Sequence, residues 1–188
     1  MSVRWSLPAL ALLMALVTGC TSADQQASTG GPLNGPDYAD AGSGEECIPA
    51  KTGSSLTFGG DELHNYGSKA VVIDKVTLSK ARGLRVVEAV IVPTSTSLIG
   101  YGTGYPPDPG ARSQPGVDWD HRRKAAGATL SPQSEKSMNV NNLVLHLQVT
   151  DTTGVGMAGV LVHYHVGSSD YVWHNVLGLT VETKKKSC

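Results

Sequence analysis

Val160-Leu161-Val162-His163-Tyr164-His165-Val166 runs directly into Gly167-Ser168-Ser169-Asp170, and the fold class rests on how these eleven residues are read. In an extended chain successive side chains point to opposite faces, so Val160, Val162, Tyr164 and Val166 share one apolar face while His163 and His165 take the other. Such a run, closed by residues that tolerate a tight turn, predicts a half-buried strand entering a hairpin. Upstream, Leu143, Leu145, Leu147 and Val149 repeat the pattern in 142–150. Further out, short aliphatic and β-branched runs lie near 54–64, 69–79, 83–92, 127–131 and 170–182, whereas helical periodicity is hard to find after Cys47. With 142–150 and 159–166 they make seven candidate strands. Asn65-Tyr66-Gly67-Ser68 reads as a hairpin turn between the first two, and breaks in alternation near Asp74 and at Val86-Val87 read as β-bulges. The expected fold is all-β: an immunoglobulin-like antiparallel β-sandwich of about seven strands, without the Cys-Trp-Cys arrangement of antibody domains.

The amino-terminal region is organised differently. One cation, Arg4, precedes the apolar stretch Leu7 to Val17, and small residues lead into Cys20. About 20 apolar residues are needed to span a ~30 Å hydrocarbon core, so this stretch reads as an export signal and not as a membrane helix. From Thr21 to Glu46 the chain is rich in Gly, Ser, Ala, Pro, Asp and Gln, a composition that buries too little apolar surface to offset ordering entropy, and it reads as a flexible tether. Five acids and no cation give that stretch a charge of −5. Residues 47–188 hold 14 basic and 11 acidic side chains and have the usual size of one domain. The organisation is therefore a signal at 1–19, a tether at 20–46 and a domain at 47–188 with a long connection at 93–126. Basic runs are confined to Arg122-Arg123-Lys124 and Lys184-Lys185-Lys186, which reads as solvated surface and not as a nucleic-acid stripe.

Val17-Thr18-Gly19-Cys20 resembles the lipobox of bacterial lipoproteins. The wider layout of lipobox, acidic Gly/Ser tether, N-x-G-S turn, a late strand holding Tyr164 and Gly167, and a terminal cysteine is similar to that of uncharacterised lipoproteins of Gram-positive actinobacteria. The resemblance implies a diacylglyceryl thioether on Cys20, with acyl chains such as palmitate holding the domain on the extracytoplasmic face of the cell membrane. Two acyl chains anchor stably because each buried CH₂ adds about 0.8 kcal/mol. Export also places Cys47 and Cys188 in an oxidising compartment, where a pair of this kind is expected to join, closing a loop worth up to ~4–5 kcal/mol.

Chemistry is less legible. The chain contains no G-x-S-x-G elbow, no P-loop, no G-x-G-x-x-G opening a helix and no H-E-x-x-H. Tyr101, Tyr105, Trp119, Arg122 and Arg123 in the long connection are the residue types enriched at binding hot spots, and the adjacent prolines lower the entropy lost on docking. They point to a partner in the envelope, either a protein or a cell-wall polymer. His146, His163, His165 and His174 oppose the apolar phase of their strands and should face outward. If 167–170 forms the loop, Val166 pairs with Tyr171, Tyr164 with Trp173 and His163 with His174, with His165 beside them, close enough to share zinc or copper. Sequence reasoning thus leads to a non-catalytic, membrane-anchored binding or scaffolding lipoprotein. A transition-metal-binding lipoprotein and a cell-envelope enzyme are the alternatives.

Overall fold

The computed structural model describes residues 30–34, 44–133, 140–185 and 187–188; the signal segment and Cys20 lie outside the described residues. In chain order the strands are β1 (Glu45–Pro49), β2 (Ser55–Leu63), β3 (Val71–Ser79), β4 (Leu84–Thr94), β5 (Gly100–Thr103), β6 (Arg123–Lys124), β7 (Thr129–Leu130), β8 (Val140–Val149), β9 (Val155–Met157), β10 (Gly159–Val166), β11 (Ser169–Asn175) and β12 (Gly178–Glu182). They form a five-stranded sheet β5-β2-β8-β4-β6, a four-stranded sheet β11-β10-β3-β7 and a three-stranded sheet β1-β12-β9. Every pairing is antiparallel except β1 with β12. The only helical pieces among the described residues are the four-residue helix α1 (Pro109–Arg112) and a 3₁₀ turn at Trp119–His121. No helix among them is long and apolar enough to cross a membrane.

The alternation that defines the strands also builds the core. Leu143, Leu145, Leu147 and Val149 of β8 are buried in one cluster with Leu56 and Phe58 of β2, Ile73 of β3, and Val160, Val162 and Tyr164 of β10. The chain is thus an all-β protein of packed, largely antiparallel sheets. The two expected bulges stand where the alternation breaks. Register on β3 jumps from Lys75 to Ile73, leaving Asp74 out, and register on β4 jumps from Val86 to Glu88, leaving Val87 out. Both extra residues are exposed, as an unpaired position on a pleated edge allows.

Other expectations need correction. Asn65–Ser68 is no hairpin, because β2 pairs with β5 and β8 while β3 pairs with β10 and β7. The Asn65 amide instead donates to the carbonyls of Lys69 and Leu130 and its oxygen accepts from Gly67 N–H, so the turn crosses between sheets under side-chain control. The run 170–182 is two strands in different sheets, broken between Asn175 and Gly178. The short strands β1, β5, β6 and β9 carry too few alternating residues to stand out in the sequence. Residues 30–34, read as tether, pack on the domain: Leu33, the one aliphatic side chain larger than alanine in that stretch, is 2% exposed within the main core.

Cys47 and Cys188 are joined, with Cα atoms 6.0 Å apart and a sequence separation of 141. The bond ties β1 to the segment just beyond β12, next to the parallel β1–β12 pairing. Reduction should cost up to about 4–5 kcal/mol of stability in the loop-entropy account and so lower the thermal unfolding midpoint. A midpoint unchanged by a reductant, followed by circular dichroism, would show that the parallel β1–β12 pairing holds the ends without it.

Candidate functional site

The β10–β11 hairpin has a two-residue loop, Gly167-Ser168, and not the four-residue loop expected. Gly167 sits at φ +61°, a conformation that two-residue hairpin loops reserve for glycine. Every cross-strand partner therefore moves by two. Val166 faces Ser169, Tyr164 faces Tyr171, Val162 faces Trp173, His163 faces Val172 and His174 faces Leu161. Because the shift is even, the core face survives intact while the expected opposition of His163 and His174 does not. On its other side His163 lies opposite Lys75 of β3, a cation where a metal ion would have to approach. Burial, and then the Lys75 charge, pull the His163 imidazole below its ordinary range. His165 pairs through Nδ1 with Asp74 at 2.8 Å. Among the described residues no group of three or more His, Cys, Asp or Glu side chains could hold a metal.

The long connection folds back on the outer face of the five-stranded sheet. Val90, Val92, Ile99, Trp119 and Val144 form a second apolar cluster there, with Tyr105 and Val117 packed against it. Trp119 is 6% exposed, so it is a packing residue and not a free anchor. The Arg122 guanidinium lies over its ring at 4.7 Å. Tyr105 stacks on His146 at 4.3 Å and donates its hydroxyl to Glu88 at 2.8 Å. Tyr101 packs on Phe58 at the opposite edge of the sheet. The five candidate binding residues thus separate. Trp119 borders a pocket of about 300 Å³ beside α1, and Arg123 opens onto a different and larger cavity.

That cavity is a polar cleft of about 460 Å³ at the end of the sandwich where β2 and β4 finish and β8 begins. His64 and Asn65 follow β2, Pro93–Ser95 close β4, Asp118 comes from the long connection, Arg123 from β6, and Asn141 opens β8. Arg123 donates to Asn141 Oδ1 at 3.2 Å and to the Thr129 carbonyl at 3.3 Å. His64 is held between Glu62 (2.8 Å) and Gln133 (3.1 Å). Beside it Tyr66, 54% exposed, presents its ring 5.7 Å from the His64 ring. The volume suits a small ligand or one segment of a polymer. The lining offers a cation, amides and an imidazole next to an aromatic surface. His64, Gln133 and Asn141 escape a reading of the sequence because they meet only across three strand ends; the polar pair Asn141-Asn142 before an apolar strand is the one local sign.

Compared with known proteins, the chain matches no family model, no curated protein and no solved structure.

A second polar feature lies inside the domain, where Gly59 and Gly60 bulge β2 away from β8. Asn142, fully buried, fills the gap by donating to the Gly59 and Asp61 carbonyls at 3.0 and 2.9 Å while accepting from Ile99 N–H. Gly60 has no room for a side chain, since a Cβ there would overlap the Tyr101 phenol. Asp61 follows, 3% exposed, with Oδ1 accepting from Asn175 and Oδ2 without a hydrogen-bond partner. Burial pushes its carboxyl up to about 7, and burial together with the Asp61 and Glu46 charges pushes the Tyr101 phenol up to about 12. An acid with a folded pKa above its unfolded value binds the proton more tightly when folded, so stability is full below about 4 and falls as pH rises towards 7. Asp61→Asn keeps the shape and removes the charge. It should raise stability at pH 8 by up to roughly 4 kcal/mol, leave it nearly unchanged at pH 4, and flatten the slope between. Denaturant unfolding of both chains across this range checks it; parallel curves would refute the assignment.

Proposed function

We propose that the chain is a membrane-anchored, extracytoplasmic lipoprotein, lipidated on Cys20, whose β-sandwich binds an envelope partner without catalysis. A cell-wall saccharide in the polar cleft is the partner that the geometry favours. The observation that carries this reading is the convergence of Arg123, Asn141 and His64 on one open cavity, with exposed Tyr66 beside the His64 ring. Hydroxyl-rich ligands need donors and acceptors in fixed places and an apolar face to stack on. Here Arg123 and Asn141 supply the first and Tyr66 the second. The parts of the reading that concern export and lipid rest on the signal layout and on the resemblance of residues 17–20 to a lipobox.

Mass spectrometry of the mature amino terminus tests the anchor: a diacylglyceryl-modified Cys20 is expected, and an unmodified terminus downstream of it would end the lipoprotein reading. Calorimetric titration of the whole chain with cell-wall saccharide fragments tests the cleft. Arg123→Ala should weaken binding about tenfold or more, because a hydrogen bond to a charged group contributes about 1.5–3 kcal/mol. Binding that is absent, or equal in the variant, would remove the cleft from the account.

One contact favours the enzyme alternative. Ser55 Oγ lies 2.9 Å from His146 Nε2 on the outer face of β2 and β8, and burial outweighs the nearby Glu88 charge and lowers the His146 pKa, which favours the neutral imidazole that can act as a base. Labelling by a serine-reactive organophosphonate discriminates. Under the binding reading Ser55 stays unmodified, and stoichiometric labelling abolished by His146→Ala would establish Ser55 as an activated nucleophile and favour the enzyme reading.

A further inference from the structure

The stretch between Cys20 and β1 has the composition of a free leash, yet its turn Gly31-Pro32-Leu33-Asn34 is seated on the domain. Leu33 is 2% exposed in the main core. Its N–H donates to Tyr164 Oη at 3.3 Å, and the Pro32 carbonyl accepts from Tyr66 N–H at 2.9 Å. Asn34 N–H closes the turn on the Gly31 carbonyl at 3.0 Å. The fit leaves no slack: a Cβ on Gly31 would overlap Tyr164 Oη and lie 2.6 Å from Tyr171 Cδ1, and a Cβ on Gly67 would lie 2.8 Å from Pro32 Cβ. Tyr66 and Gly67, which receive the turn, directly follow His64 and Asn65, which wall the polar cleft. One short loop therefore carries the tether on one side and the cleft on the other.

We infer that residues 31–34 are a clamp that fixes the tether to the cleft end of the sandwich, so that the cleft takes the membrane-proximal part of an envelope saccharide, such as the lipid-linked end of a polymer. This rests on the reading of Cys20 as the anchor and of the cleft as the binding site. The distances follow from chain length. Ten residues from Cys20 to Gly30 reach at most about 35 Å, whereas an unclamped chain from Cys20 to Cys47 would reach about 95 Å. The clamp removes well over half of the reach and selects which end of the sandwich meets the membrane. Opposite the cleft, the turn after β1 hydrogen-bonds through Gly53 to Val149 at the far end of β8, so Lys51 lies about one strand length, roughly 30 Å, further away.

Two measurements on the whole chain test this. Hydrogen–deuterium exchange should show the amides of Leu33 and Asn34 protected in the wild type and released in Gly31→Val, with β8 amides protected in both as evidence that the domain stays folded. Unprotected amides at 33 and 34 in the wild type would overturn the clamp. In the second, lipidated Ser131→Cys and Lys51→Cys chains are each labelled with a donor dye and placed on vesicles with acceptor-labelled headgroups. Energy transfer should be several-fold greater from 131, beside the cleft, than from 51, and Gly31→Val should erase the difference. Equal transfer in the wild type would overturn the membrane-proximal placement. Failure of the mature chain to associate with vesicles would overturn the anchor and that placement with it, while protection at 33 and 34 would still establish the clamp.

Discussion

Burial of Leu143, Leu145 and Leu147 of β8 in one cluster with Val160, Val162 and Tyr164 of β10 is the interaction on which the rest of the structure depends. Each fully buried aliphatic side chain of this size contributes about 1.5–3 kcal/mol, and the period-two pattern forces all three leucines of the strand to one side. Once that side is committed, β2 and β4 flank β8 and β3 flanks β10, because the backbone donors and acceptors of buried strands must be met by neighbours. The same pattern turns Val144, His146 and Gln148 to the outer face. There the long connection covers Val144 with Trp119 and Ile99 and leaves the remainder of the face half open.

Polar residues at the strand ends do a different job. Asn65, Asn141 and Asn142 bond to backbone carbonyls in loops and bulges that the ladder cannot reach. Those loops can therefore stay open as a cleft without stranding buried polar groups, which would cost more than the bonds gain. Asp61 is the exception. Its carboxyl takes one bond from Asn175 across to the next sheet and is otherwise desolvated, so the contact between sheets at that point carries a proton-dependent cost. The arrangement is coherent with a domain that offers donors at one end while keeping a continuous apolar interior.

What the sequence alone determined was local. Alternation identified β8 and β10, set their inward faces and marked bulges near Asp74 and at Val86-Val87, because a period of two and its interruption are properties of adjacent residues. The pairing of Cys47 with Cys188 was also legible, since only two cysteines remain in the domain. What the tertiary structure decided was every relation that depends on distance through space. A loop shorter by two residues left the faces of β11 unchanged but moved His174 away from its expected partner. Asn65–Ser68 looks like a hairpin turn in isolation and becomes a crossing between sheets because β2 and β3 each find other neighbours. The cleft joins ends of β2, β4 and β8 whose residues are far apart in the chain, and Leu33 gains its place only because Tyr164, 131 residues later, folds beside it. Side-chain periodicity is encoded residue by residue, whereas register, sheet partners and cavities are set by which distant surfaces bury each other, and no local pattern records that choice.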